Sequence, residues 1–319
     1  MIPIKNAPAL QSASVFAPTN IALIKYWGKR DTQLNLPVTS SLSVTLPEHG
    51  THTKLTLIDE PHDQVILNNE MLSTDANFYQ KIINFIDMFR FADERFCIDT
   101  TNNIPTAAGL ASSASGFAAL TLALNEIYQW QLSKQQLSCL ARMGSGSACR
   151  SLWNGFVLWQ KGDNTDGSDS FAYPLNITWP ELRIGICYVE TKQKPISSRD
   201  AMNITTKTST LYADWPTIVE NDLRQIQIAM QQKDFIRFAE IAEQNARAMH
   251  ATMQAARPSI CFSTAETFAV IKKIEALREA GIPVYFTQDA GANLKLLFTA
   301  EYEQSIKNAF QGVEVIALF

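Results

Sequence analysis

The sequence predicts an α+β fold with two lobes, on three observations. Strand-like alternation dominates the first third, long amphipathic helices dominate the second half, and the composition changes near residues 185–195. Strands and helices that occur in separate runs favour α+β over a doubly wound parallel sheet. The 319 residues provide room for one large domain or two ordinary ones. We therefore expect an N-terminal lobe over 1–188 and a C-terminal lobe over 189–319.

The first elements are strands followed by a helix. Residues 51–58 alternate between polar and apolar side chains, and residues 64–67 with the Asn-Asn pair behind them predict the next strand and turn. Residues 73–92 carry apolar side chains at helical spacing, with Ser73 or Thr74 as the expected N-cap.

The middle of the chain predicts two buried helices. Residues 112–128 are rich in Ala and Leu, and residues 133–143 are opened by Ser133 and closed by Gly144. Short strands are expected at 96–99, 155–160 and 183–189.

Long amphipathic helices distinguish the second half from the first. Three of them precede a series of short strands and one further helix. The helices are expected at 216–231, 234–256, 264–280 and 301–310, and the strands at 283–287, 293–298 and 313–318.

Charge, apolar runs and cysteine content exclude several classes of protein. There are 27 Lys and Arg against 31 Asp and Glu, a net charge of −4, so a general nucleic-acid binder with a broad basic face is not expected. No apolar run approaches the roughly 18–20 residues of a membrane span, and the N-terminus lacks the apolar stretch of a signal peptide. Five cysteines without a CxxC pair do not predict disulfides or a zinc site. We expect a cytoplasmic protein.

A loop of small residues at 105–116 is suited to an anion. Small side chains let the backbone approach a ligand, and the helix that follows offers unpaired N–H groups and the positive end of its dipole. Ser112 and Ser113 add hydroxyls for phosphate oxygens or Mg²⁺. The alternative is a serine N-cap on a buried helix, and composition alone leaves both open.

A second small-residue cluster at 144–150 contains Arg150, which is suited to a bidentate grip on a carboxylate or phosphate. The alternative is a helix C-cap followed by a surface arginine. Two such loops in one chain strengthen the case for a bound anion.

Six strings in the sequence resemble one family, the mevalonate diphosphate decarboxylases, within the superfamily of galactokinase, homoserine, mevalonate and phosphomevalonate kinases. They run in family order across most of the chain. They are APTNIALIKYWGKRD at 17–31, IPTAAGLASSASG at 104–116, GSGSACRSLW at 144–153, SSRDAM at 197–202, AMHAT at 248–252 and YFTQDAGAN at 285–293. The resemblance implies the two-lobed small-molecule-kinase (GHMP) fold with a deep cleft between the lobes.

The implied activity is the ATP-dependent decarboxylation of mevalonate 5-diphosphate to isopentenyl diphosphate, ADP, phosphate and CO₂. In this family the 3-hydroxyl is phosphorylated first, which turns it into a leaving group. The resemblance also implies ATP and Mg²⁺ as cofactors and a homodimer. Local cations and backbone N–H groups must supply the positive field for three anionic groups, because the protein as a whole is negative.

The resemblance assigns three catalytic residues. Asp289 matches the aspartate that faces the 3-hydroxyl as base or orienting group. Lys25 matches the lysine beside that aspartate and the transferring phosphoryl group. Arg150 matches the arginine that holds the substrate carboxylate.

The remaining matched positions are binding residues. Those implied for the substrate are Asn20, Tyr26, Lys29, Ser145, Gly146, Ser147, Ser198, Arg199 and Met202. Those implied for the ATP phosphates are Gly109, Ser112 and Ser113, with Ser113 also contacting Mg²⁺. Ala292 stands where the family usually has Pro, and we expect this difference to leave the chemistry unaffected.

Without the resemblance, several of these residues have ordinary interpretations. Asp289 would be a turn residue, Lys25 and Lys29 would share a solvated face, and Arg199 would form a weak surface ion pair with Asp200. His250 is expected to be structural.

There are four alternative functions. They are a decarboxylase of mevalonate 5-phosphate, a 3-kinase that does not decarboxylate, a metabolite sensor without activity, and a general small-molecule kinase. The presence of Asp289, Lys25 and Arg150 together disfavours the 3-kinase and the sensor, and the KYWGKRD string disfavours the general kinase.

Overall fold

The computed structural model describes residues 5–103, 112–189 and 196–319. The strands are β1 (Ser12–Ile24), β2 (Lys29–Asp31), β3 (Leu36–Pro37), β4 (Ser41–Ile58), β5 (Gln64–Leu67), β6 (Glu70–Met71), β7 (Arg95–Asn102), β8 (Phe156–Trp159), β9 (Ala172–Pro174), β10 (Leu182–Cys187), β11 (Tyr285–Gln288), β12 (Leu294–Thr299) and β13 (Glu314–Ala317). The helices are α1 (Asn77–Asp87), α2 (Ser112–Tyr128), α3 (Lys134–Gly144), α4 (Ser198–Thr208), α5 (Trp215–Gln232), α6 (Phe235–Gln254), α7 (Ala265–Glu279) and α8 (Glu303–Ala309). Within these ranges no helix has both the length and the apolar character needed to cross a bilayer.

The larger sheet is built around the long antiparallel pair β1 and β4. It has seven strands, ordered β6-β5-β7-β4-β8-β9, with β1 paired to β4. The first residues of β4 pair with β8 and its last eight pair with β7, while β5 runs parallel to β7. The strand predicted at 64–67 is confirmed with those bounds, and the strand predicted at 51–58 is the second half of β4.

The smaller sheet is antiparallel, in the order β11-β12-β10-β13. It therefore takes β10 from before the expected division at 188/189 and pairs it with strands from the end of the chain. Mixed sheets and helices of this kind confirm the α+β class. The position of the domain division stays a prediction.

One apolar core continues from lobe to lobe. It joins side chains of β1, β4 and β8 to α4, α5, α6 and β10, including Ile21, Phe156, Ile184, Met202 and Phe238. A second core lies between the large sheet and α1–α3, and a third lies between the small sheet and the last two helices. Because the first core belongs to both lobes, the lobes are held together by apolar packing.

Local chemistry sets the helix starts that the sequence predicted best. Ser133 and Thr264 form capping boxes at α3 and α7, and Asp234 accepts a hydrogen bond from the backbone N–H of Arg237 at the start of α6. Each of these helices begins one residue after its predicted first residue, and of the three caps only Ser133 was predicted as one.

Two helices differ from what the sequence predicted. The helix expected at 73–92 is α1, which begins only at Asn77. Residues 73–76 form a turn, closed by a bond from the Ala76 N–H to the Ser73 carbonyl (3.0 Å), so neither Ser73 nor Thr74 is the N-cap. Helix α4 was not predicted, because three buried side chains in eleven residues give little apolar periodicity.

The core shared by the lobes yields a stability prediction. Phe156 is fully buried and lies edge-on to Phe238, with ring centroids 6.0 Å apart. We expect Phe156→Ala to lower the free energy of unfolding by about 3–5 kcal/mol, the usual result of truncating a core aromatic. Urea unfolding followed by circular dichroism measures this change. Phe268→Ala is the control, because Phe268 is 48% exposed and its truncation should change stability by about 0.5 kcal/mol or less. Equal effects of the two changes would contradict the prediction.

Candidate active site

Asp289 follows β11 in a turn that is tied down on both sides. The Gly291 N–H donates to the Asp289 carbonyl (2.7 Å), and Gln288 Nε2 donates to the Gly291 carbonyl (2.8 Å). Thr267 Oγ1 donates to the carbonyl of Ala292 (2.9 Å). Since these anchors use carbonyl groups and the Gln288 side chain, the turn does not need a proline at position 292.

Lys25 lies at the end of β1 and reaches across to this turn. Its Nζ donates to Asp289 Oδ1 (2.7 Å) and to the Ala22 carbonyl (2.8 Å), and its backbone N–H donates to Asn245 Oδ1 (2.8 Å). The side chain is 2% exposed. Burial lowers the pKa of Lys25 to about 8, although its ion pair with Asp289 opposes that shift.

A second lysine, Lys295 on β12, also contacts Asp289. Its Nζ lies 3.1 Å from Asp289 Oδ2, and its side chain is 1% exposed. Lys295 was not predicted from the sequence. The feature of the sequence that could have indicated it is a single charged residue within the apolar strand β12, whose first five residues are all buried.

The two lysines determine the charge state of Asp289. Burial alone would raise the pKa of this carboxyl, but the ammonium groups of Lys25 and Lys295 outweigh burial and hold the pKa well below its usual range. The side chain keeps 28% of its surface exposed to the cleft. Asp289 is therefore an ionised carboxylate that can accept a hydrogen bond from a ligand.

Arg150 is buried at the end of the 3-10 helix Gly146–Arg150. Its Nε donates to Asn20 Oδ1 (3.3 Å), its Nη1 donates to Ser41 Oγ, and Asn20 Nδ2 donates in turn to Ser151 Oγ (2.8 Å). Burial lowers the pKa of Arg150. In the described part of the chain it forms no salt bridge. A guanidinium buried with neutral partners is suited to an incoming anion.

Tyr26 and Gly146 shape the wall beside Arg150. The Tyr26 hydroxyl is buried without a hydrogen-bond partner among the described residues, and burial raises its pKa. A Cβ at Gly146 would lie 2.7 Å from that hydroxyl, so only glycine leaves room. The donor of this hydroxyl is therefore not used by any described residue.

Lys29 lies further along the same segment, after a close approach at Gly28. Gly28 has a φ of +119°, and a Cβ there would lie 1.7 Å from the Tyr212 hydroxyl, which bonds the Trp27 carbonyl at 3.0 Å. Lys29 Nζ donates to Asn35 Oδ1 (2.6 Å). Its pKa is lowered to about 8 by burial, with a smaller effect from Arg199.

Helix α4 brings its first turn to the cleft. Ser197 caps it by accepting from the Asp200 N–H (3.1 Å). Ser198 and Arg199 are exposed and Met202 is buried, and all three line the cleft. The ion pair between Arg199 and Asp200 considered above is absent from the described residues, because Asp200 is bonded to Ser197 instead.

The predicted phosphate loop is only partly described. Ser113, near the start of α2, has its Oγ 3.4 Å from Ser145 Oγ, and the Ser145 and Ser147 hydroxyls are 3.5 Å apart. Gly109 and the side chain of Ser112 lie outside the described residues. The three described hydroxyls face the same cleft.

The structure brings every described predicted site residue to one cleft of about 390 Å³. Its charged lining, as far as the structure describes it, is five cations and one carboxylate, in a protein whose net charge is −4. The five cations are Lys25, Lys29, Lys81, Arg150 and Arg199, and the carboxylate is Asp289. Lys81 on α1 was not predicted, since on the sequence it reads as part of the helix's solvent face.

The donors of this cleft fit ATP and Mg²⁺. The described residues contain no group of three or more His, Cys, Asp or Glu that would hold a metal ion alone. Mg²⁺ is commonly bound through substrate phosphates and few protein ligands, and the Ser113 hydroxyl is placed to be one. The cations and hydroxyls of the cleft suit the phosphates.

Comparison with known proteins gives a consistent result over nearly the whole chain. Residues 17–172 match the diphosphomevalonate decarboxylase-like N-terminal domain, and residues 184–315 match the mevalonate 5-diphosphate decarboxylase C-terminal domain. The diphosphomevalonate decarboxylase mvd1 of Aspergillus fumigatus is 37% identical, over 94% of this chain and 80% of that protein.

Solved structures agree with the sequence relatives. The mevalonate diphosphate decarboxylase of Staphylococcus aureus superposes with a TM-score of 0.91 at 38% identity, covering 97% of this chain and 96% of that one. A complex of MDDEF with MVAPP, AMPPCP and magnesium superposes with a TM-score of 0.89 at 37% identity, covering 96% of each chain. The expected two-lobed small-molecule-kinase fold is confirmed, and the chain belongs to the diphosphomevalonate decarboxylase family.

Proposed function

We propose that this chain catalyses the ATP-dependent decarboxylation of mevalonate 5-diphosphate to isopentenyl diphosphate, ADP, phosphate and CO₂. The observation that carries the proposal is the ionised Asp289 in contact with Lys25, in the same cleft as Arg150, which has no salt-bridge partner among the described residues. The reaction needs an acceptor for a hydroxyl hydrogen bond and a cation for a carboxylate. The cleft offers both.

Asp289 and Lys25 are assigned to the 3-hydroxyl of the substrate. The carboxylate accepts the hydrogen bond of the hydroxyl and directs its oxygen towards the phosphoryl group. The Lys25 ammonium fixes the carboxylate at 2.7 Å and places positive charge where negative charge develops. Positioning and electrostatic stabilisation are the main contributions a protein makes to phosphoryl transfer.

Arg150 serves the substrate carboxylate. Its guanidinium is oriented by Asn20 and Ser41 and can hold the carboxylate until CO₂ leaves. The diphosphate is assigned to the polar groups around Tyr26. These are Tyr26, Lys29, Ser145, Gly146, Ser147, Ser198 and Arg199, and Met202 is assigned to the 3-methyl end of the substrate.

Bound ATP and Mg²⁺ supply the phosphoryl group and neutralise its charge. Ser113, with Ser112 and Gly109, is assigned to the ATP phosphates, and the Ser113 hydroxyl to Mg²⁺. The Ser113 hydroxyl lies 3.4 Å from the Ser145 hydroxyl, and this supports the assignment, because the transferred phosphoryl group must pass between neighbouring nucleotide and substrate sites.

Substrate choice is the first test. With Mg²⁺-ATP and mevalonate, mevalonate 5-phosphate or mevalonate 5-diphosphate, we expect ADP and CO₂ in equal amounts from the diphosphate alone. Coupled ADP release with trapped CO₂ measures both products. Turnover of the monophosphate instead would favour the alternative decarboxylase, and ADP without CO₂ would show a 3-kinase.

Replacing Asp289 with Asn tests the hydroxyl acceptor. We expect turnover to fall by roughly 10²–10⁴-fold, the range for loss of a positioned acid–base group, while ATP binding survives. ADP release and equilibrium nucleotide binding measure the two effects. Asp59→Asn is the control, because Asp59 is exposed outside the cleft. Turnover near that of the unchanged protein would remove Asp289 from its role.

Replacing Arg150 with Gln tests the carboxylate site. Loss of a charged hydrogen bond costs about 1.5–3 kcal/mol, so we expect turnover to fall by roughly 10- to 150-fold with little change in ATP affinity. Arg224→Gln on the exposed surface of α5 is the matched control. A loss of ATP affinity as large as the loss of turnover would contradict the assignment.

We further infer a cytoplasmic homodimer, with lobes divided at 188/189. All five cysteines are free, which supports a reducing compartment. The dimer is an expectation from the family resemblance, and sedimentation equilibrium tests it. A monomer at assay concentration would refute it without affecting the chemistry.

A further inference from the structure

Lys295 is a buried cation whose sole ion-pair partner among the described residues is Asp289. Burying an ammonium group is costly unless it is paired and hydrogen-bonded. An apolar residue at this position would continue β12 without that cost, since Leu297, two residues along on the same face of the strand, is buried in the core shared by the lobes. A charge retained here is therefore best explained by its contact with Asp289.

The two lysines hold different oxygens of the same carboxylate. Lys25 Nζ lies 2.7 Å from Oδ1 and Lys295 Nζ lies 3.1 Å from Oδ2. They reach Asp289 from different lobes, because Lys25 follows β1 of the large sheet and Lys295 belongs to β12 of the small sheet. One ion pair would leave the carboxylate free to rotate about it, whereas two fix its plane.

We propose that Lys295 is a positioning residue for the reaction, which holds Asp289 by Oδ2 so that the ionised carboxylate presents a fixed acceptor to the substrate hydroxyl. This inference rests on the proposed function. Lys295 does not line the cleft, so it acts on the substrate through Asp289.

Four titratable or charged groups surround the Asp289 carboxylate. They are Lys25 after β1, Lys295 on β12, Arg150 on its 3-10 helix and His250 on α6. His250 Nε2 lies 3.1 Å from the Asp289 carbonyl. Burial, with a contribution from Lys25, lowers the pKa of His250 to about 4, so this imidazole is neutral through the neutral and alkaline range.

Removing the charge of Lys295 has a defined effect on both remaining partners. Asp289 loses a cation, so its pKa rises and activity is lost at a higher pH on the acid side. Lys25 loses a neighbouring like charge, so its pKa rises from about 8 and activity persists to a higher pH on the alkaline side. Both limbs of the pH profile therefore move to higher pH. A change that only disturbed packing would lower the rate without moving the limbs in this way.

The test compares Lys295→Met, Lys295→Arg and the control Lys272→Met, an exposed lysine of α7. We expect kcat of Lys295→Met to fall by roughly 10- to 100-fold with KM little changed, and both limbs to move to higher pH. Lys295→Arg, which keeps the charge, should restore the limbs to their original positions. Lys272→Met should match the unchanged protein. If Lys295→Met does not fold, Lys295→Gln, which keeps a donor towards Asp289, takes its place.

A second readout does not depend on turnover. NMR titration of ¹³Cε-labelled lysine in the unliganded protein, with Lys25 assigned by Lys25→Met, should show a higher pKa for Lys25 in Lys295→Met than in the unchanged protein. An unmoved Lys25 titration and unmoved limbs would overturn the inference, even with a lowered kcat. If the wild-type protein itself has no decarboxylase activity, the proposed function is refuted. The NMR titration would still show whether Lys295 lowers the pKa of Lys25.

Discussion

The site depends on the ion cluster that joins the end of β1 to the turn after β11. Lys25 comes from the large sheet, whereas Asp289 and Lys295 come from the small sheet, so the reactive carboxylate is held by both lobes at once. Neutral bonds reinforce the junction, because Thr287 Oγ1 donates to the Ala22 carbonyl (3.1 Å) and Asn245 accepts the Lys25 N–H. Buried ions are tolerated only when their geometry is fixed and their hydrogen bonds are made.

This junction explains why the lobes share an apolar core. A small shift of one lobe would separate the Lys25 ammonium from the Asp289 carboxylate and leave that ammonium buried without its ion-pair partner. The core formed by β1, β4 and β8 with α4–α6 and β10 opposes that shift. Apolar packing therefore fixes the electrostatic geometry, and the position of Asp289 is as much a property of the core as of its own turn.

The sequence predicted those elements whose signals are local. The caps at Ser133 and Thr264 are satisfied within four residues, and both helices begin where the caps indicate. Strand β1 was not predicted, because residues 17–25 are all buried and the alternation that reveals a half-exposed strand is lost.

The candidate site was predictable to the extent that the family strings covered it. All the described matched residues line one cleft, but no spacing in the sequence indicates that Lys25 and Asp289 lie 2.7 Å apart. Lys295 and Lys81 were missed for opposite reasons. The first is a charge hidden in an apolar strand, and the second is a cleft residue on a helix face that reads as solvated.

The cations of the cleft differ in burial, and this difference separates their tasks. Lys81 and Arg199 are exposed, and exposed charges contribute only about 0–1 kcal/mol in a single pair, yet they attract anions from solution. Lys25 and Arg150 are buried, where the same charge acts over a short distance in a weakly screened environment. Arg150 lacks a described salt-bridge partner, so an anion bound beside it gains the full interaction and relieves the cost of its burial. Under the proposed function, the outer cations attract the substrate from solution and the buried ones hold its carboxylate and hydroxyl in place.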